Sequence, residues 1–368
     1  MRTESLAIVG GGIIGHALAF EASSRGLDVS LFTRTQDGEG SRAAGGMLTP
    51  AMEADLTSSS LFDLAKLSRT LYPDWIQAIE RQVEVETGYL QSGTLEVALH
   101  RDHLSDLEQL EAHQARLGFK TERLSSREIL EREPQLTHRV QGALFAQDDH
   151  CVEPRRLLDA LSRILNKRGV SVKDSDVLSL DPVNGRINHT SLGRETTSDF
   201  DHVVVASGAW AQRHVPDYAG TLRPVKGQFI RVRAPHPLKT VIRTPDVYLI
   251  PRLNQEVYIG ASQEEVGFQD GTSLGEIMDL LTDAWRTVPS LYDAEIIESG
   301  YGYRPALDHG NPCLGTIPNT RTSLAIGHYR HGVLLAPATA KVIVDQLFEP
   351  TPEFDMAPFA PRLGKDPL

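Results

Sequence analysis

Leu6-Ala7-Ile8-Val9-Gly10-Gly11-Gly12-Ile13-Ile14-Gly15 decides the fold of this chain. Four consecutive apolar residues read as a strand buried on both faces. They run into a GxGxxG whose glycines fall at 10, 12 and 15. A helical pattern follows with Ala17, Leu18 and Ala22 on its apolar face, and Gly26 stands where the left-handed residue after a helix usually falls. Val29-Ser30-Leu31-Phe32 is then a second parallel strand. In such a unit Gly10 permits the tight turn and Gly12 lets a pyrophosphate approach the backbone. Gly15 lets helix and strand pack closely, and the helix N-terminus, with Ile13 and Ile14, offers amides and a positive dipole end. The spacing alone is common; its place between a strand and a helix points to dinucleotide binding.

One position departs from the pattern. An acidic residue is expected about 20 residues on, to hold ribose hydroxyls. Thr33 stands there instead, followed by Arg34. Thr33 offers one ribose hydrogen bond. Arg34 reads either as a partner for a 2′-phosphate, hence NADP, or as a solvated loop charge. The N-terminus does not choose between FAD and NADP.

Further along, 58–86 and 103–132 have helical periodicity, and Glu153-Pro154 opens a helix with an apolar stripe from Leu157 to Leu165 that ends at Gly169. Val170 and Val172 start a strand expected to continue towards Val177. Between Asp201 and Gly208 a buried parallel strand ends in small residues, which let something flat or phosphorylated lie against Ser207 and Gly208. From Gln228 to Ala261 the pattern alternates, as in an antiparallel sheet, and a helix is expected near 274–286. With 368 residues, two domains are expected.

The net charge of −12 argues against general affinity for nucleic acid or anionic membranes. The apolar run from Leu6 to Phe20 is too short to span a bilayer, and the N-terminus shows no signal pattern. Cys151 and Cys313 form no CxxC pair, so reduced cysteines and a cytoplasmic protein are expected. His309, His328 and His331 lack metal-ligand spacing, so no metal site is expected.

Several landmarks then fall in order: Gly10–Gly15, Ala43-Ala44-Gly45-Gly46-Met47-Leu48, Gln147-Asp148-Asp149, Val152-Glu153-Pro154, Val203 to Trp210, Pro224 to Gln228, Gly302-Tyr303-Arg304-Pro305, and Gly327 to Thr339. Over roughly residues 6–347 the chain resembles the glycine oxidase branch of the D-amino acid oxidase family. The resemblance implies non-covalent FAD rather than NADP, although that family typically carries Glu where Thr33 stands. It implies a Rossmann-like FAD-binding domain from 1–85, 146–222 and 300–350, interleaved with an antiparallel β-sheet substrate domain from 86–145 and 223–299. Residues 351–368 are left as a C-terminal tail.

The resemblance also assigns roles. Arg304 matches the carboxylate-binding arginine, a role its planar fork suits; the bland alternative is an inter-domain salt bridge. Tyr248 matches a pocket tyrosine able to donate to the same carboxylate, and Arg330 an active-site arginine near the flavin. With His331, Gly332, Val333 and Leu334, Arg330 precedes or opens a last helix whose N-terminus would face the flavin's pyrimidine edge. Ala43, Ala44, Gly45, Gly46 and Met47 would run beside the isoalloxazine. Ser207, Gly208 and Trp210 would line the cofactor, and the Val177 backbone would meet the adenine end. Gln263 stands where relatives carry an apolar residue facing substrate. The implied reaction is oxidative deamination of glycine or another small amino acid, with O₂ as acceptor, in a homo-oligomer. Rival readings are a sarcosine or D-amino acid oxidase, a dehydrogenase using another acceptor, an NADP-dependent reductase and a non-catalytic flavin-binding module.

Overall fold

A computed structural model describes residues 4–53, 59–191, 193–218, 221–348 and 354–362. Ser5–Val9 lies inside a six-stranded sheet ordered Cys313–Thr316, Thr322–Ile326, His202–Val205, Ser5–Val9, Asp28–Thr33 and Ser171–Asp174. Its pairings are parallel except that of the first two strands. Leu6, Ala7, Ile8 and Val9 are at most 3% exposed, as a strand covered on both faces requires. The helices Ile13–Ser24, Ser59–Val83, Pro154–Lys167 and Gly332–Phe348 share one apolar core with this sheet.

Pro337 interrupts the last of these helices, since it has no N–H to give to the carbonyl one turn back. Tyr72 supplies the missing donor to the Val333 carbonyl at 2.6 Å, and the Ser68 hydroxyl donates to that of Leu334. Both donors come from the helix Ser59–Val83, which ties the two helices together.

A second, eight-stranded sheet runs in the order Glu295–Ala306, Arg223–Arg233, Glu256–Gly260, Tyr248–Pro251, Val241–Arg243, Thr94–Ala98, Gly142–Ala146 and Glu122–Leu124. It is antiparallel apart from one parallel pair, Val241–Arg243 with Thr94–Ala98. The strand Glu295–Ala306 pairs along Arg223–Arg233 through Ala306, so residues 300–306 belong to this sheet and not to the FAD-side segment expected to begin at 300. Arg304 is therefore carried by the substrate-side sheet.

Two other expectations change. The strand expected from Val170 towards Val177 is broken at Ser175, whose hydroxyl turns onto the Thr190 carbonyl. Val177–Asp181 then starts a separate three-stranded sheet with Arg186–Ser191 and Arg194–Asp199. The helical stretch expected over 103–132 divides into Asp102–Arg116 and Ser126–Arg132 around the short strand Glu122–Leu124. Part of the expected tail is packed, with Met356 and Phe359 buried in the core of the first sheet. Among the described residues no helix is long and apolar enough to cross a membrane.

Candidate active site

Residues of both sheets line one cavity. At one end Gly10 leaves its strand at φ +122° and donates to the Phe32 carbonyl at 2.9 Å. A Cβ on Gly10 would overlap the Ala206 carbonyl, and one on Gly15 would overlap the carbonyl of Gly10. Gly12 stands at the helix N-cap with no side-chain cap and no acid in the first turn. The Ile13 amide donates to the Ser41 hydroxyl at 2.9 Å. The glycine backbone and the positive dipole end here suit a pyrophosphate.

Thr33 lines the cavity with its hydroxyl against Gly11. Arg34 is ion-paired with Asp176 at 2.7 Å, a neighbour that opposes a 2′-phosphate at this place. Ser207 is joined through His214 to the Val177 carbonyl by contacts of 3.0 and 3.2 Å, so these three wall residues form one hydrogen-bonded chain. Burial pulls the His214 imidazolium below its ordinary value.

At the other end, Arg304 reaches across Arg223–Arg233 and donates to the carbonyls of Lys226 and Ser262 at 3.3 and 3.0 Å. Gly227 makes room, since a Cβ there would occupy the guanidinium. Among the described residues no carboxylate lies within ion-pair distance of Arg304, so the expected alternative of an inter-domain salt bridge is absent there. The Tyr248 ring is stacked on that of Tyr258 at 6.3 Å and 1°. Gln263 and Arg330 are exposed at the cavity wall.

Glu53 is buried against His331 Nδ1 at 2.8 Å and Arg243 at 3.1 Å. Burial alone would raise its carboxyl; His331, Arg243 and Arg330 override that and hold it well below the usual carboxylate range. Arg243 also binds Glu96 at 2.8 Å. His328, at the same wall, is pushed down to about 3 by burial, so its ring is neutral.

Of the residues singled out from sequence, the cavity wall brings together Gly10, Gly12, Ile13, Ile14, Thr33, Arg34, Ala43 to Met47, Val177, Ser207, Gly208, Trp210, Tyr248, Gln263, Arg304, Arg330, Gly332 and Val333. Gly15, His331 and Leu334 stand behind the wall. Gly15 packs on Gly10, His331 binds Glu53, and the Leu334 carbonyl takes the Ser68 hydroxyl. Sequence reasoning missed Ser41, Glu53, Asp176, Arg243 and Tyr258, which also line the cavity. Glu53 left a usable signal, a lone acid ending the run Leu48-Thr49-Pro50-Ala51-Met52. Arg243 and Tyr258 sit in strands whose patterns match ordinary packing.

The family model of the FAD dependent oxidoreductases (DAO) matches residues 5–346. The chain belongs to that family. Membership implies FAD dependence, and the cavity fits the group, with a glycine turn at a helix N-terminus free of acidic residues and the small residues Ala43 to Gly46 in its lining. The glycine oxidase of Geobacillus kaustophilus is 34% identical over 364 residues, covering 96% of each chain. The crystal structure of glycine oxidase from that organism superposes with a TM-score of 0.89 at 32% identity, over 98% of this chain and 99% of the other. A bifunctional protein ThiO/ThiG of Trichormus variabilis is 33% identical over 94% of this chain. This FAD-dependent oxidoreductase spans about half the length of that relative, 53%. An iminodiacetate oxidase from Chelativorans sp. BNC1, at 24% identity and a TM-score of 0.86, shares the fold.

Proposed function

We propose that this oxidoreductase converts glycine, or another small amino acid, to its oxo acid, with ammonia and H₂O₂ as the other products. The observation that carries the reading is Arg304, a guanidinium at the cavity wall that meets only carbonyls among its described partners. Two parallel N–H donors suit a carboxylate better than any other common ligand group. The 34% identity to a glycine oxidase over nearly all of both chains supports glycine as the first substrate.

FAD, when bound, would supply the hydride acceptor, with O₂ as the final oxidant. The protein's part is orientation and electrostatics. Arg304 and Tyr248 hold the carboxylate, which aims Cα–H along the cavity. Arg330 and the N-terminus of Gly332–Phe348 would bring positive charge to the cavity wall, where it would favour negative charge on a bound, reduced flavin. Glu53 is already paired with His331 and Arg243, so those two groups are engaged rather than open to the substrate's carboxylate. The imine product hydrolyses with one water and needs no protein base. Gln263 adds a polar group to the pocket, and a panel of glycine, sarcosine and D-amino acids reads its effect on selectivity.

The test is anaerobic addition of glycine to the purified yellow protein. Bleaching of the oxidised-flavin band, reversed by air with release of peroxide, supports the reading. A protein that takes up FAD but is bleached by neither glycine nor the panel rejects it. Arg304→Ala should raise KM by about tenfold or more, the loss expected for charge-assisted hydrogen bonds worth about 1.5–3 kcal/mol. An unchanged KM would remove Arg304 from the carboxylate site.

A further inference from the structure

The loop Arg42–Met47, whose residues from Ala43 on line the cavity, has four carbonyls each held by a donor. Arg155 Nε donates to the Arg42 carbonyl at 2.7 Å and the Tyr258 hydroxyl to that of Ala43 at 2.6 Å. The Arg252 guanidinium donates to the carbonyl of Gly45, and the Val152 amide to that of Gly46 at 2.9 Å. A trans peptide sets its N–H opposite its C=O. The amides of Gly46 and Met47 therefore point away from Arg252 and Val152. Gly45, Gly46 and Met47 line the cavity while Arg252 and Val152 do not, so the two amides lie on the side of these wall peptides away from Arg252 and Val152. Gly46, at φ +70°, makes the turn that allows this.

Arg252 is the unusual member of the set. It is 7% exposed, and among the described residues no carboxylate lies within ion-pair distance of it. Its other contacts are the Pro251 carbonyl at 3.4 Å and the face of Tyr258 at 5.6 Å. Burial pulls its guanidinium below the ordinary value, yet arginine at such a place keeps its proton. The Glu153 carboxylate acts on it only from beyond ion-pair distance and is itself bound to Arg156 and Arg231, and a buried cation so weakly compensated destabilises the fold unless something nearby carries more negative charge.

We infer that Arg252 is a positioning residue that turns the Gly46 amide towards the part of the cavity where the isoalloxazine would lie and lends its positive charge to the reduced, anionic flavin. The inference rests on the FAD reading above and goes beyond it, because it assigns a role behind the cavity wall. It implies that the charge matters to negative charge on the ring more than to holding the oxidised cofactor.

Sulfite is the probe. It gives its electron pair to flavin N5, an S–N bond forms, and one negative charge is left on the pyrimidine ring. Arg252→Gln keeps a donor for Gly45 but removes the charge, Arg252→Lys keeps the charge, and Arg252→Met removes both. In Arg252→Gln and Arg252→Met the sulfite Kd, read from bleaching of the flavin band, should rise about tenfold or more. Arg252→Lys should retain most of the affinity. The Tm of apo Arg252→Met should be no lower than that of the unmodified protein, since a buried unpaired charge is gone. A merely structural arginine would give the reverse pattern, a lowered Tm with sulfite Kd unchanged wherever flavin is retained. Should Arg252→Met fail to fold, Arg252→Gln decides, and a sulfite Kd within about twofold of the unmodified protein overturns the inference. If the unmodified protein takes up no FAD, the functional reading has failed before any variant is compared.

Discussion

At the end of the cavity around Gly10–Gly15 the lining is mostly backbone, amides and carbonyls brought close by the absence of side chains. At the end around Arg304, Tyr248 and Glu53 it is side chains, carried by strands and loops as much as 250 residues apart in the chain. The first kind of site demands glycine at fixed spacing within one short segment. The second demands only that the fold bring a few residues together, and many spacings satisfy that. The two ends should therefore fail differently when altered.

The largest effect should come from Gly10→Ala. An alanine would hold an unfavourable backbone conformation at φ +122° and press its methyl into the Ala206 carbonyl. Strain of about 1–3 kcal/mol and overpacking of similar size together give roughly 2–6 kcal/mol. Denaturant midpoints of the apoprotein and FAD uptake by fluorescence measure it. A stable variant that still binds FAD tightly would show that this end does not depend on backbone approach.

The contrast explains what was legible. Gly10, Gly12 and Gly15 were legible because the close backbone approach they permit is local and leaves one solution to the chain. Arg304 has no local signature, and only the ordered resemblance around Gly302-Tyr303-Arg304-Pro305 picked it out. Its strand crossed the expected domain boundary because an alternating pattern says nothing about which sheet receives it. The sheet of 177–199 was missed because Arg186–Ser191 and Arg194–Asp199 are polar and largely exposed, so no apolar run marks them. Arg252 was invisible as well, since a buried guanidinium bonded to carbonyls looks in sequence like any charged residue after Pro251.

A second effect should be confined to the side-chain end. Asp149 is buried and accepts the amides of Ala51 and Met52, next to Glu53, at 3.4 and 3.0 Å. Burial raises its carboxyl from 3.8 to about 7, against the pull of those amides and of Arg69 and Arg243. The folded state thus holds a proton that the unfolded chain has lost. That contribution is fully present below about pH 4 and disappears as pH rises through about 7, up to about 4 kcal/mol in all. Tm should fall between pH 5 and 7.5, and Asp149→Asn should flatten the fall whatever it does to stability itself. Equal slopes in the two proteins would remove Asp149 from the account.

The smallest effect returns to the end around Gly10, at a place where its wall is built from side chains. Arg34 and Asp176 are about half exposed, with 46% and 39% of their side chains accessible. Exposed ion pairs contribute about 0.2–1 kcal/mol. If the backbone supplies most of the grip here, Arg34→Ala should change the FAD Kd by less than about fivefold. The variant should gain no affinity for NADP and lose none, because Asp176 already neutralises the charge a 2′-phosphate would need. A much larger loss of FAD affinity would mean that the adenosine end, like the substrate end, relies on a side chain. Thr33, in the place where the pattern expects an acid, would then be the substitution that made Arg34 and Asp176 necessary.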